Sequence, residues 1–366
     1  MWSAFKSSIE ACLCPPGNGV FTVNTGKERK TMLHQALYGT TQNIDNLWKA
    51  QLNTLPDAGK AVVLGVCSDT GGGILRGANW GPLFLRNTLL EQHPDIKVFD
   101  IGDIRIIPHL LHDKYMNQAT IDNCRKALYH DSQSYYPVAP LSITEEFAHS
   151  FYQHFADKGL FGIGGDHSVS YPLTKAWLQA KKIQGKRTAI IHFDAHTDLL
   201  KERLGIDLCF GSWCTHILEY LPAPNHLIQI GIRSTGKPKA HWQDTFGVVQ
   251  HWACDVKEIG AEAIASDIIS QLKRDKVDEL YVSFDIDAID SAYAAATGTP
   301  ESGGMTPEDA LHIISALADE FAITAADMME ISPFLNTSLQ PSEEPATTLK
   351  VGADISALLI KAMQKG

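Results

Sequence analysis

The sequence predicts an α/β protein with a mostly parallel central sheet covered by helices on both faces. Three observations lead there. Short apolar runs recur along the chain, and longer amphipathic segments separate them. The runs are also nearly continuous in apolar side chains, as expected of strands buried on both faces.

Taken in order, the predicted strands are "AVVLGV" (61–66), "IKVFDI" (96–101), "GLFGIG" (159–164), "TAIIHF" (188–193), "HLIQIGI" (226–232), "ELYVSF" (279–284) and "ITAADMMEI" (323–331). Amphipathic spacing predicts helices over 143–157, 168–181, 261–273 and 306–321. The last has a clear start, because Thr306 is an N-cap residue type and Pro307 suits the first helical position. Residues 1–58 differ in character: a Pro/Gly loop, "CPPGNGVFTVNTG", precedes a polar helix candidate over 28–52. This stretch is expected to be an N-terminal extension packing on the core or on a neighbouring subunit, with residues 59–366 forming the catalytic domain.

A chain of 366 residues with 44% hydrophobic content can fill the core of one large α/β domain. Its net charge of −11 argues against nucleic-acid partners, which select basic faces. Seven scattered cysteines suit a reducing compartment, and no stretch reaches the ~20 apolar residues that span a bilayer. The start has no signal-peptide pattern. A cytoplasmic protein with no membrane partner is the expectation.

The chemistry lies where the strands end. In open parallel sheets, ligands gather outside the carboxyl ends of the strands. Asp166 and His167 follow the 159–164 run, and Asp194, His196 and Asp198 follow 188–193. Asp285, Asp287 and Asp290 follow 279–284, and Glu330 closes the last strand. Burying unpaired carboxylates costs on the order of tens of kcal/mol by the idealised transfer penalty, so something cationic must neutralise them. Lysine and arginine are missing from these ends, which makes metal ions the natural candidates. Oxygen donors with some imidazole favour Mn²⁺ over thiolate-seeking zinc, and nickel or cobalt can occupy such sites. Two ions sharing a water make hydroxide available near neutral pH, so the expected chemistry is hydrolysis. Alternation in extended chain sets Asp194, His196 and Asp198 on one side, and likewise Asp285 with Asp287.

Taken singly, these residues have ordinary explanations. Asp166 alone reads as a helix cap, and His196 alone as a hydrogen-bonded histidine. Their recurrence at successive strand ends is what capping does not predict. His192, His216, His241, His251 and Glu219 lack that context and read as structural.

Four blocks in order, "GIGGDHSVSYP" (162–172), "HFDAHTDL" (192–199), "SFDIDAIDSAYAAATGTPESGGMTPEDAL" (283–311) and "MMEISP" (328–333), resemble the ureohydrolases. That family comprises arginase, agmatinase, guanidino-acid hydrolases and formimidoylglutamase, and the pattern is closest to agmatinase-like guanidino hydrolases. The resemblance implies a three-layer α/β/α sandwich assembled as trimers or hexamers. It implies two Mn²⁺ per subunit, with His167 and Asp198 on the first, His196 and Asp287 on the second, and Asp194 and Asp285 bridging. It further implies that Glu330 pairs with the guanidinium of a small-molecule substrate, which is cleaved to urea and an amine.

Departures from the family pattern bear on substrate. Many arginases and agmatinases carry a His-Gly pair after the DAHxD block as proton shuttle; here Phe210 precedes Gly211. His216, Cys209 or Cys214 are possible substitutes, or Asp287 protonates the leaving amine directly. Leu200 stands where arginase has an asparagine that reads the α-amino acid, so L-arginine is not the expected substrate. Leu200, Phe210 and Trp213 are expected to line the substrate space. Ser291 and "AAATGTP" replace proline-containing segments and are expected to alter loop shape only. Two alternatives stand beside guanidino hydrolysis: a formimidoylglutamase-type reaction releasing formamide, and an inactive metal-bound structural or regulatory subunit.

Overall fold

A computed structural model describes residues 2–20, 24, 26–72, 75–335 and 346–366. Its strands are β1 (Leu13–Cys14), β2 (Ala61–Gly65), β3 (Phe99–Ile104), β4 (Gly159–Ile163), β5 (Thr188–Phe193), β6 (Leu227–Ile232), β7 (Val249–Trp252), β8 (Glu279–Asp285) and β9 (Ala322–Met329). They form one nine-stranded sheet in the order β1-β3-β2-β4-β9-β8-β5-β6-β7. Every pairing is parallel except β1 with β3. One face carries a row of helices, Gly81–Gln92, Ala346–Lys365, Pro307–Glu320 and Ala261–Arg274, each packed on the next. The other carries Trp2–Cys12, Pro140–His154, Ser170–Ile183 and Trp213–Ile217, again in sequence. The expected mostly parallel, three-layer α/β/α architecture is therefore present.

This topology matters because β4, β9, β8 and β5 are neighbours at the centre of the sheet. Phe193 is level with Phe284, Phe284 with Met328, and Ile163 with Met328. The residues just after those positions therefore emerge side by side. Beneath them, all six residues of β5 are buried. Burial of Ile190, Ile191 and Phe193 contributes roughly 1.5–3 kcal/mol per side chain, which anchors the polar end of the strand.

Several elements differ from the sequence reading. The strand expected at 96–101 is formed by Phe99–Ile104 instead. Asp100 and Asp103 look like strand breakers, but both pair with the buried guanidinium of Arg86: Asp100 meets Nε and Nη2 at 2.7 and 2.9 Å, and Asp103 meets Nη1. The 28–52 helix is two helices, Lys27–Tyr38 and Ile44–Leu52, because Gly39 and Asn43 both adopt left-handed backbone. Strands β1 and β7 were not expected; the first is two residues long and the second is the polar edge segment "VQHW".

The first sixty residues contribute to the same core. Phe5 lies 4.3 Å from the ring of His154 and 6.4 Å from that of Phe147. Trp48 donates its indole N–H to the Ile101 carbonyl at 2.9 Å. After β1, the amides of Gly17 and Gly19 donate to Asp103 Oδ2 at 2.7 and 2.9 Å. Among the described residues, no helix is long and apolar enough to cross a membrane.

Candidate metal centre

The chain turns sharply after β5 and β8, and each turn is closed by its own first carboxylate. The amide of His196 donates to Asp194 Oδ1 at 2.6 Å, and the amide of Asp287 donates to Asp285 Oδ1 at 2.9 Å. These bonds aim the remaining oxygens inward. His167 Nδ1 lies 3.1 Å from Asp194 Oδ2, 3.0 Å from Asp285 Oδ2 and 3.4 Å from Asp198 Oδ2. His196 Nδ1 lies 3.3 Å from Asp194 Oδ1 and 3.1 Å from Asp287 Oδ2. Asp194 thus faces His167 with Oδ2 and His196 with Oδ1. His196 is the half-open member, with 24% of its side chain exposed, whereas the others are buried.

The hydrogen-bond network distinguishes His167 from His192. Ser283 Oγ donates to Asp327 Oδ1 at 2.8 Å, and Asp327 Oδ2 accepts from Tyr281 and Ser170. With its single proton committed there, Ser283 accepts from His167 Nε2–H at 3.0 Å. In its neutral form His167 would present a bare Nδ1 that is buried and set among three carboxylate oxygens. A cation fits that position.

His192 is fixed the other way. The Trp252 indole, a donor only, bonds Gln250 Oε1 at 2.9 Å; Gln250 Nε2 donates to Gln229 Oε1 at 2.8 Å; Gln229 Nε2 donates to His192 Nδ1 at 2.9 Å. The His192 proton therefore sits on Nε2 and is given to Asp194 Oδ2 at 2.9 Å. His192 thereby turns its one N–H toward Asp194 and orients that carboxylate. Two sets of donor atoms are close enough to hold an ion, one of His167, His192, Asp194 and Asp198, the other of Asp194, His196 and Asp287; in the first, the His192 nitrogen nearest the carboxylate carries the proton given to Asp194.

Electrostatics support the same reading. Burial and the neighbouring charge of Asp194 push Asp198 well above the carboxylate range, and burial with Asp287 and Asp194 does the same to Asp285. Burial opposes charge on His167, yet Asp194 and Asp285 outweigh it and raise its pKa well above the imidazole range. The cluster requires positive charge, as bound protons or as metal. Arg233, which follows β6, is near enough to interact with Asp287 and Asp194, but its guanidinium bonds the carbonyls of Asp287, Ile289 and Glu301 and makes no ion pair with the cluster's carboxylates.

Glu330 closes the site beyond β9. Its Oε1 accepts from the His167 amide at 2.9 Å, its backbone is left-handed with φ 64°, and burial with Asp285 and Asp166 raises its pKa well above the usual range. Asp198 shares the left-handed backbone, with φ 50°. Strained backbone at two non-glycine residues within one cluster is a mark of function.

The other expected residues fall as follows. Asp166 caps Ser168 and accepts from Gly71, while Asp290 accepts from Ala292 and Gly303, so both stay out of the cluster. Leu200 is 38% exposed and packs toward Gly211. Phe210 is half-buried, with Arg203 over its ring at 5.1 Å. Trp213, expected to line substrate space, is wholly buried beneath the cluster and donates to Asp198 Oδ2 at 2.8 Å. The sequence did not single out Gln229, Ser283 and Asp327, and His192, read as structural, orients Asp194. A carboxylate inside the otherwise apolar run of β9 is the one signal that pointed to such a network.

Histidines and carboxylates gathered on the carboxyl edge of a parallel sheet form a donor set of the kind that suits a metal ion in an α/β protein. The arginase family profile matches residues 59–359, and the chain belongs to that family. It is similar to agmatinase of Escherichia coli O7:K1, 36% identical over 213 residues, a stretch covering 58% of this chain and 62% of that protein, under two thirds of its length. It is 29% identical over 297 residues to agmatinase of Bacillus cereus, covering 77% and 86%. A crystal structure of a hypothetical agmatinase from Burkholderia thailandensis superposes with a TM-score of 0.63 at 25% identity, covering 84% and 87%.

Proposed function

We propose that the chain is a metal-dependent hydrolase that cleaves a C–N bond of a guanidino compound to urea and an amine. The observation that carries this is Asp194, whose two oxygens face two separate imidazoles. Glu330, which accepts from the His167 amide, is buried and forms no ion pair among the described residues. His167 and Asp198 would hold one ion, His196 and Asp287 a second, with Asp194 and Asp285 shared. Oxygen-rich donors favour Mn²⁺, with nickel or cobalt as alternatives. When bound, such a pair lowers the pKa of a water to near neutrality.

The residues themselves do the rest. Glu330 Oε1 is engaged by the His167 amide, so Oε2 is the oxygen open to a planar N–H donor such as guanidinium. Asp287, beside the half-open His196, would take up a proton from the attacking water and pass it to the departing amine. His216 is tied to the Asp207 carbonyl, and burial pushes the Cys214 thiol well up, so neither is free for that task. Leu200 offers no hydrogen bond to an amino-acid end, which supports agmatine, a guanidino acid or guanidine over arginine. A homo-oligomer, trimeric or hexameric, in the cytoplasm belongs to the same proposal.

Purified protein reconstituted with Mn²⁺ and given agmatine, guanidino acids, guanidine and arginine should release urea from at least one of the first three. Formamide from formimidoylglutamate with no urea would favour the second reading, to which Phe210 lends weight. No product from any compound would favour the inactive subunit.

A further inference from the structure

Trp213 is placed where hydrolysis itself asks for nothing aromatic. Its ring is wholly buried, with its centroid 5.0 Å from His167 and 5.1 Å from His192. Its Nε1–H donates to Asp198 Oδ2 at 2.8 Å, and that same oxygen lies 3.4 Å from the bare Nδ1 of His167.

Asp198 needs such a partner more than its neighbours do. Asp194 and Asp285 are each fixed by a backbone amide two residues on, and Asp287 by the amide of Ala195 and the hydroxyl of Thr299. Among the described residues, the hydrogen bond that orients the Asp198 carboxylate comes from the Trp213 indole. Asp198 also sits on left-handed backbone, a conformation that a non-glycine residue keeps only when its surroundings hold it there. A carboxylate oxygen has two lone-pair directions. The indole occupies one and leaves the other turned toward His167.

We infer that Trp213 is a positioning residue of the metal centre: its N–H holds Asp198 ready to ligate, and losing that one proton weakens the ion on the His167 side while sparing the His196 side. This rests on the two-ion reading above. The bond acts through Asp198 alone, since His196, Asp287 and Thr299 touch neither Trp213 nor its partner oxygen in the described hydrogen bonds. Partners of metal ligands typically govern affinity by about 10–100-fold.

The test is Mn²⁺ content by equilibrium dialysis over graded free metal, read by atomic emission for wild type, Trp213→Phe and Trp177→Phe. Trp177 is an equally buried indole whose N–H donates to Thr324 at the opposite end of β9, and it controls for general loosening of the core. Wild type and Trp177→Phe should bind two ions per chain. Trp213→Phe should keep one at wild-type affinity and bind the other about 10–100-fold more weakly. Unchanged binding by Trp213→Phe, or equal loss in both variants, overturns the inference alone. A wild-type chain that binds no ion overturns the two-ion reading as well. If Trp213→Phe fails to fold, benzothienylalanine at position 213 keeps the indole shape and replaces N–H by sulphur. The same selective loss is expected there, and full binding overturns the inference.

Discussion

Asp194 faces two imidazoles with two oxygens, and His192 pins the same carboxylate from behind. At this scale the strongest consequence concerns Glu330. Glu330→Gln keeps the shape but removes the charge that would meet a guanidinium. Truncating one partner of a buried charge pair costs about 2–5 kcal/mol, roughly 30-fold to several thousand-fold in kcat/KM, while the Mn²⁺ content of the variant should stay at the wild-type level. Ser283→Ala breaks the link that sets the His167 tautomer. Mn²⁺ affinity should fall about 10–100-fold, as followed by titration with a competing chelator. Asp194, His196 and Asp198, and Asp285 with Asp287, stand out in the sequence because they recur two apart at strand ends, whereas His167 and Glu330 stand singly after theirs. The tautomer network was not. Gln229, Gln250 and Asp327 lie within three different strands, and their partnerships exist only once β9, β8, β5, β6 and β7 are laid side by side.

Strand β3 shows how an element can hide from its own sequence. Asp100 and Asp103 are unfavourable in a buried strand unless neutralised, and the neutralising Arg86 lies in the helix Gly81–Gln92. Local pattern therefore ended the strand early, and tertiary pairing extends it to Ile104. Arg86→Met would leave two buried carboxylates without a counter-ion. It should destabilise the chain by about 3–5 kcal/mol in urea unfolding, because breaking a buried pair strands its partners. Asp103 also accepts from Gly17 and Gly19, so limited proteolysis of that variant should cut the N-terminal segment before the rest of the chain. The central strands posed no such difficulty. Runs such as "TAIIHF" are mostly apolar, and that suffices to place a strand buried on both faces.

At the scale of the whole molecule, the sheet holds a charge debt at one edge that depends on pH. Asp198, Asp285 and Glu330 have pKa values raised well above their ordinary value of about 4. His167 is raised above the imidazole range as well. Without metal, the folded chain therefore binds more protons than the unfolded chain from about pH 4 upward, and its stability falls as pH rises through that window. Asp194, lowered by its three histidines against the effect of burial, acts in the opposite sense only at the acid end. Melting in chelator should thus weaken between about pH 5 and 8, whereas added Mn²⁺ should stabilise progressively more over the same range. The overall architecture was legible from the alternation of strands and helices. Which four strands stand together was not, because adjacency is a property of topology rather than of any one segment. That adjacency is what makes a shared centre possible, and the spectrum of bound manganese tests it most directly. An electron paramagnetic resonance spectrum of the reconstituted protein should show two exchange-coupled Mn²⁺ ions per chain; an isolated six-line signal from a single ion would contradict a centre bridged by Asp194.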